Sequence, residues 1–196
     1  METCVILAAG NSIRMGKPKP LLRFNEKQNF LERIVSVYGS AGIKEIVVVT
    51  NAEVLDRIRV SVSPSFKESR FVLNSQPELG RFYSIKLGIE LVKKNTMVFL
   101  QNIDNPFITQ EIIADLKNQI GTSDYAVPEF EGRPGHPVLL SKKMVDALSA
   151  QENYDVNFRD FLKLYRGKTV PANDPGIMVN INTPEDYSKH FPNMKG

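Results

Sequence analysis

The feature that most constrains the fold is an alternation along the chain. Short apolar runs, Cys4-Val5-Ile6-Leu7, Glu45-Ile46-Val47-Val48-Val49, Phe71-Val72-Leu73 and Met97-Val98-Phe99-Leu100, are nearly continuous. A strand with one wet face alternates apolar and polar residues; these do not, so they predict strands buried on both faces. Between them the apolar period changes. Phe30, Ile34, Val37 and Tyr38 recur at helical spacing in the first connection, with Gly39 and Gly42 near the stop. Ile85, Ile89 and Val92 repeat the pattern in the third connection, and Ile112, Ile113, Leu116 and Ile120 in the fourth. Strand–helix–strand repetition implies right-handed crossovers, an α/β class and a mostly parallel sheet covered by helices on both faces.

After about Gly121 the pattern shifts. Residues 126–128 and 138–140 predict two short strands around a polar loop at 131–135. Residues 142–148 and 158–165 predict helices, and residues 169–170 and 177–181 predict late strands. Thr183-Pro184-Glu185-Asp186 is a helix start, with Thr as N-cap, Pro at the first helical position and acids in the first turn. Residues 60–69 are the most loop-like stretch. There is no linker, repeat or low-complexity tract, and 196 residues with 42% hydrophobic content suit one domain, 1–196.

Composition removes several functions. The net charge of +3 is too small for a nucleic-acid or membrane surface, which needs clustered basic charge. No apolar run approaches the ~20 residues of a membrane span. No charged start with an apolar stretch and a small-residue cleavage site is present, so a cytoplasmic protein is expected. A single cysteine excludes an internal disulfide framework and a Cys-rich zinc site.

Chemistry points to the end of the first strand. After Ala8 comes a loop, Ala9-Gly10-Asn11-Ser12-Ile13-Arg14-Met15-Gly16-Lys17-Pro18-Lys19, with two glycines, three cations and no carboxylate. Backbone N–H groups beside fixed cations are what a polyphosphate needs, and the carboxyl end of a strand is where open α/β sheets bind ligands. A merely solvated basic loop satisfies the same composition. The spacing fits neither Gly-x-Gly-x-x-Gly nor the Walker P-loop.

The residues Leu7-Ala8-Ala9-Gly10-x-Ser12-x-Arg14-Met15-Gly16-x-Pro18-Lys19-x-Leu21-Leu22 resemble the signature of the MobA-like nucleotidyltransferase family, and within it most closely the molybdenum cofactor cytidylyltransferases. Residues 74–80 with Ser84 resemble the family's base-contacting stretch. Ile103-Asp104-Asn105-Pro106-Phe107 resembles its metal-binding Asp-x-Pro. Gly135-His136-Pro137-Val138 resembles an element of the cytidylyl branch, and residues 179–186 resemble the final strand–helix element.

This resemblance implies a three-layer α/β/α sandwich of Rossmann-like nucleotidyltransferase type. It implies an enzyme that joins a nucleotide from a nucleoside triphosphate to a phosphorylated acceptor and releases pyrophosphate, with Mg²⁺ as cofactor. By that resemblance Lys19 meets the α-phosphate and Arg14 the β- and γ-phosphates, with Asp104 completing the catalytic set. Leu7, Ala8, Ala9, Gly10, Ser12, Asn74, Gly80 and Ser84 contact the nucleotide, and His136 lies at the acceptor pocket. Asp104 binds the metal together with an Asn: residues two apart on a strand share a face, so either Asn180 or Asn182 could meet it, and Asn180 is favoured. Many relatives carry Asp at both of those positions, whereas guanylyltransferase-like relatives carry Asn.

The reaction asks for positioning and charge stabilisation rather than a side-chain nucleophile. Ala9 and Gly135-His136-Pro137-Val138 favour CTP; the Asn180/Asn182 pair pulls toward GTP. The acceptor is expected to be of the molybdopterin type, with a sugar phosphate as the alternative. A non-catalytic nucleotide-binding module on the same scaffold is a separate reading. Arg133 and Arg159 are placed on the acceptor side, Lys17 and His190 are read as solvated and helix-end cations, and Phe82 and Tyr83 stand either at the base pocket or in the core.

Overall fold

A computed structural model describes residues 2–60, Phe66 and residues 69–194; the loop expected at residues 60–69 falls largely outside them. The strands are β1 (Glu2–Ala8), β2 (Glu45–Thr50), β3 (Ser69–Leu73), β4 (Met97–Asn102), β5 (Tyr125–Phe130), β6 (Arg133–Pro134), β7 (Val138–Leu140) and β8 (Gly167–Pro171). They form one sheet in the order β3-β2-β1-β4-β7-β5-β6, with β8 paired to β5. The β3-β2-β1-β4 half is parallel throughout. β7 runs antiparallel to both β4 and β5, and β8 returns parallel to β5.

The continuous apolar runs explain the layers. In β1, Cys4, Ile6 and Ala8 enter one core, while Val5 enters the other. The first core is closed by α1 (Phe30–Ser40), α2 (Ala52–Val60), α4 (Gln110–Gln119) and α7 (Pro184–His190). The second is closed by α3 (Gly80–Glu90), α5 (Lys142–Ala150) and α6 (Phe158–Leu162). Helices thus cover both faces of the sheet, which is the three-layer arrangement. Each fully buried Val, Leu, Ile or Phe contributes roughly 1.5–3 kcal/mol. Gly88 sets the spacing of one layer: a Cβ there would lie 2.3 Å from Val5 Cγ1, so α3 packs on β1 only with glycine at that point.

Local chemistry fixes the helix starts. Asn29 and Glu32 form a reciprocal capping box for α1, and Thr183 and Asp186 form one for α7. Two expectations are corrected. Helix α2 occupies the second connection, where none was expected; its buried stripe is only Val54 and Ile58. Residues 177–181 are not a strand: a 3-10 turn, Pro175–Met178, leads into irregular backbone. There the chain is held by the neighbouring loop instead of a ladder, since Ile181 N donates to Asp104 O and Asn105 Nδ2 donates to Gly176 O and Val179 O. The expected helix at 158–165 stops at Leu162, and the loop at 131–135 contains β6. No helix among the described residues is long and apolar enough to cross a membrane.

Candidate functional site

The chain leaves β1 to build β2 and β3 on one side, then returns to place β4 on the other side of β1. That reversal opens a crevice beyond the carboxyl ends of β1 and β4, the usual ligand position in such sheets. A cleft of about 340 Å³ lies there, with Leu7, Ala9, Gly10 and Ser12 on the β1 side and Asn102, Ile103 and Asp104 on the β4 side. Lys19 and the start of α3, with Pro77, Gly80, Arg81 and Ser84, complete it.

The loop after β1 is shaped by backbone geometry. Ser12 sits at φ 50°, in the left-handed region, and its Oγ accepts from Lys19 N at 3.3 Å. This turn folds the segment back so that Lys19 re-enters the cleft. A Cβ at Gly10 would meet nothing within 4 Å, so this stretch of backbone faces open space.

Lys19 is the most constrained cation in the cleft. Its Nζ donates to Asn182 Oδ1 at 2.7 Å and lies 3.6 Å from Asp104 Oδ2, and its side chain is 14% exposed. Three separated segments therefore meet at one ammonium. Aromatic packing holds them together. Phe24 lies edge-on to Phe107 at 6.0 Å and to Phe191 at 5.5 Å, and Phe107 stacks on Phe191. Tyr187 Oη donates to Arg23 O at 2.7 Å. The loop carrying Asp104 is set from below by two fully buried amides. Gln101 Nε2 donates to Asn102 O and Asn105 O, and its Oε1 accepts from Tyr38 Oη at 3.1 Å. Asn105 then ties the loop to residues 176–179.

Asp104 Oδ1 is buried and has no hydrogen-bond partner among the described residues. A buried carboxylate oxygen left unpaired is costly unless a cation or donor meets it. Among the described residues no group of three or more His, Cys, Asp or Glu side chains is placed to hold a metal. The donor set, one carboxylate with an amide oxygen nearby, fits a hard divalent ion that takes its remaining ligands from phosphate oxygens and water.

The structure brings Leu7, Ala9, Gly10, Ser12, Lys19, Gly80, Ser84 and Asp104 to one cleft, and places the other candidates elsewhere. Ala8 is buried in the core below it. Arg14 is exposed on the 3-10 turn Ile13–Met15 and does not line the cleft. Asn74 is buried and shapes the rim: its Nδ2 donates to Ser84 Oγ and its Oδ1 accepts from Gln76 N. Asn180 is exposed, whereas the Asn182 side chain meets Lys19. The preference for Asn180 assumed a strand, and without one the two-residue alternation does not apply. Phe82 is core, edge-on to Phe161, while Tyr83 donates to Gln76 Oε1. Arg133 is exposed on β6, Lys17 is exposed in the loop after β1, and His190 packs against Phe107.

His136 does not line the cleft but supports it: its Nε2 lies 3.1 Å from Asn102 Nδ2. Asn102 Oδ1 accepts from Arg81 Nη2 at 3.1 Å, so the amide nitrogen donates and the imidazole accepts. Burial, aided by the nearby Arg81 and Arg159 and opposed by Asp104, pulls the His136 pKa down to about 4. The ring is therefore neutral at physiological pH, as an acceptor must be. Gly135 makes this placement possible, since a Cβ would lie 2.6 Å from Ile177 O. The cleft residues that the sequence left unnoticed are Arg81 and Asn102. For Arg81 a signal existed: a cation in the first turn of α3, where the helix dipole disfavours it and no acid compensates.

Residues 4–170 match the MobA-like NTP transferase domain. Over 199 residues the chain is 29% identical to a protein of Bacillus mycoides (strain KBAB4) named "Probable molybdenum cofactor guanylyltransferase", with 95% of each chain covered. It is 25% identical over 194 residues to the "Molybdenum cofactor cytidylyltransferase" of Escherichia coli (strain K12), covering 94% of this chain and 92% of that one. Among solved structures, the manganese complex of Rv0371c from Mycobacterium tuberculosis H37Rv superposes with a TM-score of 0.79 at 16% identity, over 98% of both chains.

Proposed function

Because the chain belongs to the MobA-like NTP transferase domain family and is a nucleotidyltransferase of that type, we propose that it transfers CMP from CTP to the phosphate of a molybdopterin-type acceptor, with Mg²⁺ as cofactor and pyrophosphate as the second product. The observation that carries this reading is the meeting of Lys19, Asp104 and Asn182 at the mouth of a cleft that opens at the carboxyl ends of β1 and β4.

The loop after β1 offers backbone N–H groups to the nucleotide, and the open space beside Gly10 leaves room for it. Lys19 holds a fixed ammonium where charge builds on the α-phosphate. Arg14, exposed on the loop and not lining the cleft, would meet the β- and γ-phosphates of a triphosphate that extends beyond it. Asp104 through its unpartnered Oδ1, with Asn182 in place of Asn180, would hold the ion. When bound, that ion neutralises charge on the triphosphate and the departing pyrophosphate. A phosphate monoester is already a nucleophile, so no general base is required, which accords with a neutral, acceptor-only His136. Ala9 at the cleft wall and the Gly135-His136-Pro137 element support CTP.

A thermal-shift panel of CTP, GTP, ATP and UTP with Mg²⁺ tests the nucleotide. CTP is expected to give the largest shift, about 2.7 kcal/mol of stabilisation at 100 times its dissociation constant. GTP bound tenfold more tightly than CTP, ~1.4 kcal/mol, would place the protein with its guanylyl relatives.

A further inference from the structure

Lys19 comes with a carboxylate partner, whereas Arg81 does not. Arg81 lines the same cleft but forms no ion pair among the described residues. Its guanidinium is nonetheless fixed. Nη2 donates to Asn102 Oδ1 at 3.1 Å, and the carbon of the guanidinium lies 5.4 Å from the centre of the Phe158 ring. Asn102 is itself held by His136. One recorded hydrogen bond leaves most of the five N–H donors of the fork uncommitted. The start of α3 adds to this. Its N-cap, Leu79, makes no side-chain capping bond, and no acid lies in its first turn. No carboxylate in that turn competes for the fork, although the N–H of Gly80 is itself committed to Pro77 O. A planar fork held by an amide and an aromatic face is built to take a planar pair of phosphate oxygens.

The side of the cleft follows from those anchors. Asn102 ends β4, two residues before Asp104, and Phe158 opens α6. The fork is thus held on the β4 and α6 side of the cleft, near Asp104 and His136. We propose that Arg81, positioned by Asn102 and Phe158, anchors a second anion subsite that takes the phosphate monoester of the acceptor, an assignment that rests on the nucleotidyltransferase reading of this cleft. Its role is to hold the attacking phosphate. An acceptor phosphate oxygen forms a bond to the α-phosphorus with its own lone pair. The bond from the α-phosphorus to the bridging oxygen breaks, and pyrophosphate leaves with that electron pair. No redox partner or side-chain base enters the balance.

The test measures binding rather than turnover. Wild type, Arg81→Met, Arg81→Lys and the surface control Arg57→Met are titrated with phenyl phosphate as a monoester probe. Each titration is done with and without saturating α,β-methylene-CTP and Mg²⁺, and binding is followed through the side-chain amide shift of Asn102. Wild type and Arg57→Met are expected to bind the probe equally. Arg81→Met should weaken it at least tenfold and Arg81→Lys less, with nucleotide affinity unchanged within threefold in every variant. Probe binding that survives Arg81→Met overturns the subsite. So does a tenfold loss of nucleotide affinity in Arg81→Met, which would move the arginine to the nucleotide. Wild type that fails to bind the analogue counts against the nucleotide reading alone, since the probe titration without nucleotide still judges Arg81 by the same tenfold criterion.

Discussion

Lys19→Ala is expected to lower kcat by a hundredfold to a thousandfold while changing nucleotide affinity far less. The ammonium is held in place before substrate arrives, by Asn182 at 2.7 Å and Asp104 at 3.6 Å. A donor fixed in advance costs no reorganisation when charge develops, and losing one typically costs ~3–4 kcal/mol of transition-state stabilisation. Charge that exists only in the transition state shows up in kcat rather than in binding. Lys17→Ala is the control. Lys17 is exposed in the same loop and does not line the cleft, so it removes the same charge without removing the fixed donor. Steady-state kinetics on the two variants decide the matter. Small, equal losses would leave only diffuse electrostatics in the loop, whereas a large loss confined to Lys19 supports its role.

Asp104→Asn is expected to reduce turnover at least a hundredfold, ~3 kcal/mol at the barrier, with the fold intact. The substitution keeps the shape and removes the charge. What Asp104 does for the fold passes through its backbone carbonyl, which accepts from Ile181 N at 2.8 Å and is untouched. Its Oδ1 has no partner to lose, and its Oδ2 loses only the ion pair with Lys19 at 3.6 Å. Activity measured against Mg²⁺ concentration, with a thermal melt alongside, separates the two effects. Near-normal activity at ordinary Mg²⁺ would make Asp104 a turn residue. A protein that no longer melts cooperatively would make it structural.

How much of this was legible depended on where each residue's partners lie. The parallel half of the sheet was readable because Val5, Val47, Val49, Val98 and Leu100 are buried on one face and Cys4, Ile6, Ile46, Val48 and Phe99 on the other. Nothing but a doubly covered strand needs both. Helix α2 escaped notice because two buried residues, Val54 and Ile58, make too narrow a stripe. The misreading of residues 177–181 has a different cause. Ile177 and Ile181 are buried and Met178 and Val179 pack partly buried against the same core, so the apolar run imitates a strand. The backbone bonds of this stretch, however, run from His136 N to Ile177 O, from the Asn105 side chain to Val179 O and from Ile181 N to Asp104 O, long-range facts that no local period contains. Asn182 was passed over for the same reason. On the cleft itself, the glycine-bearing loop and Asp104 were visible in the order of residues alone. Asn102, in contrast, acquires meaning only through Arg81 and His136, which the fold brings to it.

The central claim is that this cleft breaks the α–β phosphoanhydride bond of a nucleoside triphosphate and passes the nucleotide to an acceptor phosphate. Parallel reactions with CTP labelled at the α- or the γ-phosphate, Mg²⁺ and molybdopterin test it most directly. The expected result is α-label in a dinucleotide-like product and γ-label in pyrophosphate, in equal amounts, with both signals lost without acceptor. Label released as inorganic phosphate, or no transfer from CTP or any other nucleoside triphosphate, would contradict it.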